Sequence, residues 1–115
     1  MVYFIKRYSK YHAKSSIYKD SIYHSQKEAG YAAELDLRIK AGEIKSWRRQ
    51  VRISLDVYGE HICNYYIDFE LTYPDESIEM VEVKGFETEV WRLKWKLFEA
   101  IYGKEHPEII LTVVK

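Results

Sequence analysis

Tyr65-Tyr66-Ile67-Asp68-Phe69-Glu70-Leu71 and, beyond a Pro74-Asp75 turn, Ile78-Glu79-Met80-Val81-Glu82-Val83-Lys84 are the two runs whose reading decides the fold. In the first run the odd positions are all apolar, and Asp68 falls at an even one. Side chains alternate across a strand, so the pattern predicts a half-buried strand with Asp68 on the face opposite the apolar row. In the second run Glu82 and Lys84 share a face with Met80, while Val81 and Val83 point the other way. A hairpin centred on Asp75 sets Asp68 directly across from Glu82 and Tyr66 across from Lys84. A register shift of one residue would break that arrangement. Two carboxylates facing each other repel. A divalent cation that favours oxygen ligands is the simplest compensation, and Lys84 adds a positive charge and a proton donor on the same face.

Working outward, Val51, Ile53, Leu55 and Val57 alternate with polar residues and predict a preceding strand, with Gly59 at the turn between them. The next strands span about 62–71 and 78–84, and Gly85 ends the second. Upstream, Ser25 and Glu28 form a capping box ahead of a helix over 26–40 that stops at Gly42. A short hairpin over 16–23 precedes it. Downstream, a second helix over 88–102 closes near Gly103, and Pro107 leads into a last strand over 109–114. The order is α-β-β-β-α-β, an α/β domain with a mixed central sheet flanked by helices. It spans 15–115 behind a basic, tyrosine-rich N-terminal arm, 1–14.

Composition bounds the function classes. With 115 residues, 47% of them hydrophobic, the chain builds one real core and is not a disordered segment. Its single cysteine, Cys63, excludes an internal disulfide and a cysteine-based zinc site. The four histidines are scattered without metal-ligand spacing. No apolar run approaches a membrane span, and the N-terminus lacks a signal-peptide core, so a soluble intracellular protein is expected. Net charge is zero, from 18 basic and 18 acidic residues, which does not favour nucleic-acid binding. The distribution does favour it. Lys14 lies in a basic N-terminal cluster, Arg48 and Arg49 in a second, Arg92 and Lys94 in a third, and acids concentrate around 68–89. Each cluster taken singly also fits ordinary solvated charge.

Both helices carry charges at unexpected places. Glu28 falls on the stripe Glu28, Ala32, Leu35 and Ile39, where a carboxylate needs a partner unless it serves only the cap. In the second helix Lys94 falls inside the stripe Val90, Leu93, Leu97 and Ile101, with Trp91, Arg92, Trp95 and Lys96 around it. Alternating basic and aromatic residues suit contact with phosphates and bases, although both tryptophans also fit a core.

The run Ile67-Asp68, a gap of 13 residues, then Glu82-Val83-Lys84 resembles the signature of PD-(D/E)XK nucleases, and the element order resembles their restriction-endonuclease-like core. Ser25-Gln26-Lys27-Glu28-Ala29, Ala41-Gly42-Glu43-Ile44, Gln50, Tyr66-Ile67-Asp68-Phe69, Val83-Lys84-Gly85 and Trp91-Arg92-Leu93-Lys94 more closely resemble a small phage-associated family of that superfamily. Ile67 stands where the motif names proline, a position with no catalytic duty. The resemblance implies a DNA endonuclease dependent on Mg2+ or Mn2+. Asp68, Glu82 and Glu28 would bind metal, with the Val83 carbonyl as a further ligand, and Lys84 would activate water and steady the phosphate. Gln50 would be an accessory residue. Lys14, Arg48, Arg49, Trp91, Arg92 and Lys94 would contact DNA. It further implies a phage or prophage origin, a branched substrate such as a Holliday junction, and a homodimer to match it. The alternatives are a non-catalytic DNA-binding or assembly module that keeps the fold, and a structural protein whose carboxylates are merely solvated.

Overall fold

The computed structural model describes residues 2–3, 16–19, 21–23 and 25–115. The chain divides into two compact units, Met1–Ile44 and Lys45–Lys115. In the first, β1 (Val2–Tyr3), β2 (Ser16–Tyr18) and β3 (Ser21–Tyr23) form an antiparallel sheet in that order. Val2–Tyr3 is therefore strand, where an irregular arm is expected. The hairpin predicted over 16–23 is present, with Tyr18 paired to Ser21 across its turn.

Helix α1 (Gln26–Lys40) has the predicted boundaries. The Ser25 hydroxyl accepts the Glu28 backbone N–H at 3.1 Å, which satisfies one orphan donor of the first turn. At the other end Gly42 adopts φ +77°, and the Gly42 and Glu43 N–H groups donate to the Ile39 and Arg38 carbonyls. This left-handed stop suits glycine, which has no Cβ to clash. The buried face is Glu28, Ala29, Ala32 and Leu35. Tyr18 and Lys19 both bond Asp36 of the helix, the lysine at 2.7 Å, and so tie the hairpin to it.

The second unit is a four-stranded sheet in the order β4 (Ser46–Val57), β5 (Glu60–Thr72), β6 (Ile78–Val83) and β7 (Ile110–Val114). The first two ladders are antiparallel, and β7 runs parallel to β6. The sheet is mixed, as expected. Strand β4 begins five residues before Val51, because Ser46–Arg49 pair with Phe69–Thr72 despite lacking apolar alternation. The β5–β6 pairs run from Phe69–Val81 to Thr72–Ile78, the register of a hairpin centred on Asp75.

Helix α2 (Glu89–Phe98) connects β6 to β7. Its N-terminus is capped by Thr88, whose hydroxyl accepts the Trp91 N–H at 3.1 Å. The helical run continues beyond residue 98, as expected, but through a π-helical turn over Glu99–Gly103. There Gly103 lies against Leu111, and a Cβ on it would sit 3.0 Å from the leucine Cδ1.

The packed face of α2 corrects the sequence expectation. Trp91 and Phe98 are buried, whereas Val90 and Leu93 are more than 60% exposed and Lys94 is exposed; of the expected stripe only Leu97 and Ile101 pack against the core. Trp91, Trp95, Phe98 and Tyr102 recur at i, i+4, i+7, i+11, as regular a helical spacing as the i, i+3, i+7, i+11 of the aliphatic stripe. Large rings remove more apolar area from water, and they win the sheet. Trp91 stacks on Trp95 at 5.9 Å, and Phe98 stacks on Tyr102 at 5.3 Å. Phe98 also joins a core of Leu55, Tyr65, Ile67 and Met80.

That core contains a second correction. Met80 lies across the ladder from Glu70, an even position of β5, yet it packs with the odd positions Tyr65 and Ile67. Strict alternation would separate them. Gln50 stands where the phase changes: it adopts φ +52° within β4, opposite Asp68 in a ladder whose bridges skip that pair. A left-handed residue breaks the two-residue alternation locally. The row Tyr65, Ile67, Phe69 and Leu71 therefore does not belong to one face.

Candidate active site

The β5–β6 ladder stops at Phe69–Val81, and one register step beyond it stand Asp68 and Glu82. Both are buried, at 7% and 4% exposure. Their carboxylates take up backbone donors where the ladder ends. Asp68 Oδ2 accepts the Val83 N–H at 2.9 Å, and Glu82 accepts the Asp68 N–H. From the other flank, Gln50 Nε2 donates to Asp68 Oδ1 at 3.3 Å. Gln50 reaches Asp68 from the left-handed position that interrupts β4, a kind of backbone strain that gathers at functional sites.

The acidity of Glu82 is strongly perturbed. Burial, followed by the charge of Asp68, pushes its carboxyl up to about 8, while Lys84, the Tyr65 hydroxyl and the Asp68 N–H pull the other way. Its Oε2 is buried and has no hydrogen-bond partner among the described residues. A buried carboxylate oxygen without a donor is costly. The site thus carries an oxygen aimed at something the described residues do not supply.

Lys84 follows the end of β6, where its backbone N–H donates to Val114 O at 2.8 Å and extends the parallel ladder by a step. Its ammonium lies over the Trp91 ring, 5.1 Å from the centroid. Trp91 Nε1 in turn donates to the Tyr65 hydroxyl at 3.0 Å, and that hydroxyl interacts with Glu82. Burial and then the Glu82 charge raise the pKa of Tyr65, so it stays a neutral donor. Sequence reasoning missed Tyr65, because an odd position in an apolar row reads as core. Its hydroxyl was the available signal: a buried tyrosine needs a polar partner.

A model of proteins of unknown function, DUF1064, matches residues 8–115. The chain belongs to the DUF1064 family. No curated protein and no solved structure matches it.

In this DUF1064 protein, Asp68, Glu82, Lys84 and Gln50 come together within the second unit. Glu28 lies in the first unit, on the buried face of α1. Trp91 does not present a free ring for base stacking. It is 9% exposed, one neighbour is Trp95, and Lys84 covers its ring. Arg48 pairs with Glu70 at 2.8 Å and Arg92 with Glu87 at 3.4 Å, while Arg49 is half-buried. Lys94 is exposed and does not point into the core. Lys14 lies outside the described residues. Among the described residues no helix is long and apolar enough to cross a membrane.

A divalent cation fits the site in part. Among the described residues no three His, Cys, Asp or Glu side chains gather into a metal-holding group. Two carboxylates do adjoin, one with an unpartnered oxygen. Mg2+ is commonly held by one or two carboxylates together with water and substrate phosphate, and that donor set is the one present.

Proposed function

We propose that this protein is a divalent-metal-dependent deoxyribonuclease of the PD-(D/E)XK type. In this reading the hairpin β5–β6, the connecting α2 and the parallel β7 are the catalytic part of a restriction-endonuclease-like core. The reading is supported above all by buried Glu82, whose Oε2 lacks a partner beside the carboxylate of Asp68. Asp68 and Glu82 would hold Mg2+ or Mn2+. Bound there, the ion would supply Lewis acidity toward the phosphate and lower the pKa of water.

The remaining roles belong to the chain's own residues. Asp68 is fixed by the Val83 N–H and by Gln50, so its carboxylate needs little reorganisation on binding. Lys84 carries its ammonium at the edge of the site. Released from the Trp91 ring, it would reach the phosphate and offset the charge that develops as the phosphorus–oxygen bond breaks. DNA is the expected substrate, a four-way junction is the first branched form to offer, and a homodimer would match its symmetry.

Incubating the protein with linear duplex and with four-way-junction DNA in Mg2+ or Mn2+ tests the reading. Wild type should cleave and Asp68→Ala should not. No cleavage by wild type, or equal cleavage by the two, would overturn it.

A further inference from the structure

Trp91 meets both Glu82, through Tyr65, and Lys84, and the polarity of those contacts is fixed by elementary chemistry. An indole N–H can donate but cannot accept. In the 3.0 Å bond between Trp91 Nε1 and the Tyr65 hydroxyl, the tyrosine oxygen must therefore be the acceptor. Its single proton is left for Glu82, the carboxylate with which the hydroxyl interacts. Tyr65 is 5% exposed and Trp91 9%, so the relay runs inside the protein. The direction follows: Trp91 N–H to Tyr65 O–H to the Glu82 carboxylate, with Oε2 left without a partner.

The same indole holds Lys84 by its ring. The ammonium lies 5.1 Å from the centroid, within the range of a cation–π contact. Trp91 is itself braced by the Thr88 cap at its backbone N–H and by stacking on Trp95. Trp95 packs on Phe98 in turn. One side chain on the first turn of α2 thus orients the carboxylate by its edge and the lysine by its ring.

We infer that Trp91 and Tyr65 are positioning residues that orient Glu82 for a divalent cation, with Trp91 also setting the resting place of Lys84. This rests on the nuclease reading. Hydrogen-bond partners of metal-holding groups commonly matter about 10–100-fold in metal affinity. A pair acting through one chain of bonds should also be strongly non-additive.

The test is Mn2+ titration by calorimetry of wild type, Tyr65→Phe, Trp91→Phe and the double variant, each checked for folding by circular dichroism. Alongside it, the indole N–H resonances are followed by NMR during Mg2+ addition, with Trp91 assigned from the Trp91→Phe spectrum. Each single variant should bind Mn2+ about 10-fold or more weakly, and the double variant little worse than the weaker single one. The Trp91 N–H resonance should move on Mg2+ addition in wild type and stay still in Tyr65→Phe. Tyr65→Phe removes only a hydroxyl, so it carries the test if Trp91→Phe folds poorly. Unchanged Mn2+ affinity in folded Tyr65→Phe, or equal movement of the resonance in both proteins, overturns the inference while the nuclease reading stands. A wild type that binds neither cation overturns the nuclease reading, and the inference with it.

Discussion

Asp68 keeps Glu82 from ionising: after burial, the charge of Asp68 is the largest influence holding the Glu82 carboxyl up near 8. Folding therefore makes Glu82 hold a proton that the unfolded chain has already released. Between the ordinary glutamate range near 4.5 and about 8, the folded state binds more protons than the unfolded one. The contribution of Glu82 to stability is thus fully present below about 4.5, is lost as pH rises toward 8, and is flat above. Its slope cannot exceed about 1.4 kcal/mol per pH unit. Urea unfolding of metal-free protein at pH 5, 6.5 and 8 should show this decline in wild type, and Glu82→Gln should remove it. Parallel pH profiles would mean that Glu82 ionises normally.

Metal should reverse the same balance. A cation binds the ionised carboxylate and competes with its proton. Mn2+ affinity should therefore rise from pH 6 toward 8 and level off beyond the Glu82 pKa. Asp68→Asn removes one ligand charge while keeping an oxygen for the Val83 N–H. It should abolish the rise in melting temperature that millimolar Mn2+ gives wild type. An undiminished rise in Asp68→Asn would exclude Asp68 as a ligand.

Gln50 offers a test whose sign runs against the usual rule. In an ordinary strand glycine is less stable than alanine by roughly 0.5–1 kcal/mol. At φ +52° the Cβ of alanine costs about 1–2 kcal/mol. Gln50→Gly should therefore be at least as stable as Gln50→Ala in denaturant unfolding, although both lose the bond to Asp68. A Gln50→Ala protein clearly more stable than Gln50→Gly would show that this residue is not left-handed.

The aromatic face of α2 is separable from its aliphatic one. Phe98 is wholly buried, and Phe98→Ala should cost about 3–5 kcal/mol. Lys94→Ala, at an exposed site, should stay within about 0.5 kcal/mol. Chemical denaturation of both variants decides which stripe packs. A large loss for Lys94→Ala would restore the inward lysine expected from spacing.

Much of the fold was legible because its signals are local. The capping Ser25, the stop at Gly42 and the turn at Gly59 each follow from backbone chemistry within a few residues. The β5–β6 register was legible too, since the short turn around Asp75 allows few alternatives that keep Phe69, Leu71 and Val81 buried. That register placed Asp68 beside Glu82, with Lys84 two residues on.

Three features were decided only in three dimensions. Two helical stripes compete on α2, and only the surface opposite shows that Trp91, Trp95 and Phe98 fill it better than Val90 and Leu93. The change of phase in β5 coincides with the left-handed Gln50 of β4, a residue type with no preference for positive φ. The third follows from it. Tyr65 stands at an odd position, opposite in phase to Glu82, and alternation alone would keep them on different faces. The sequence by itself determined which acids and which lysine share the end of a hairpin, because spacing and short turns set register. Which buried donors reach them, from Gln50 on one flank and from Trp91 through Tyr65 on the other, was decided by tertiary packing, because hydrogen bonds between distant segments depend on how the sheet bends and on which helix face it receives.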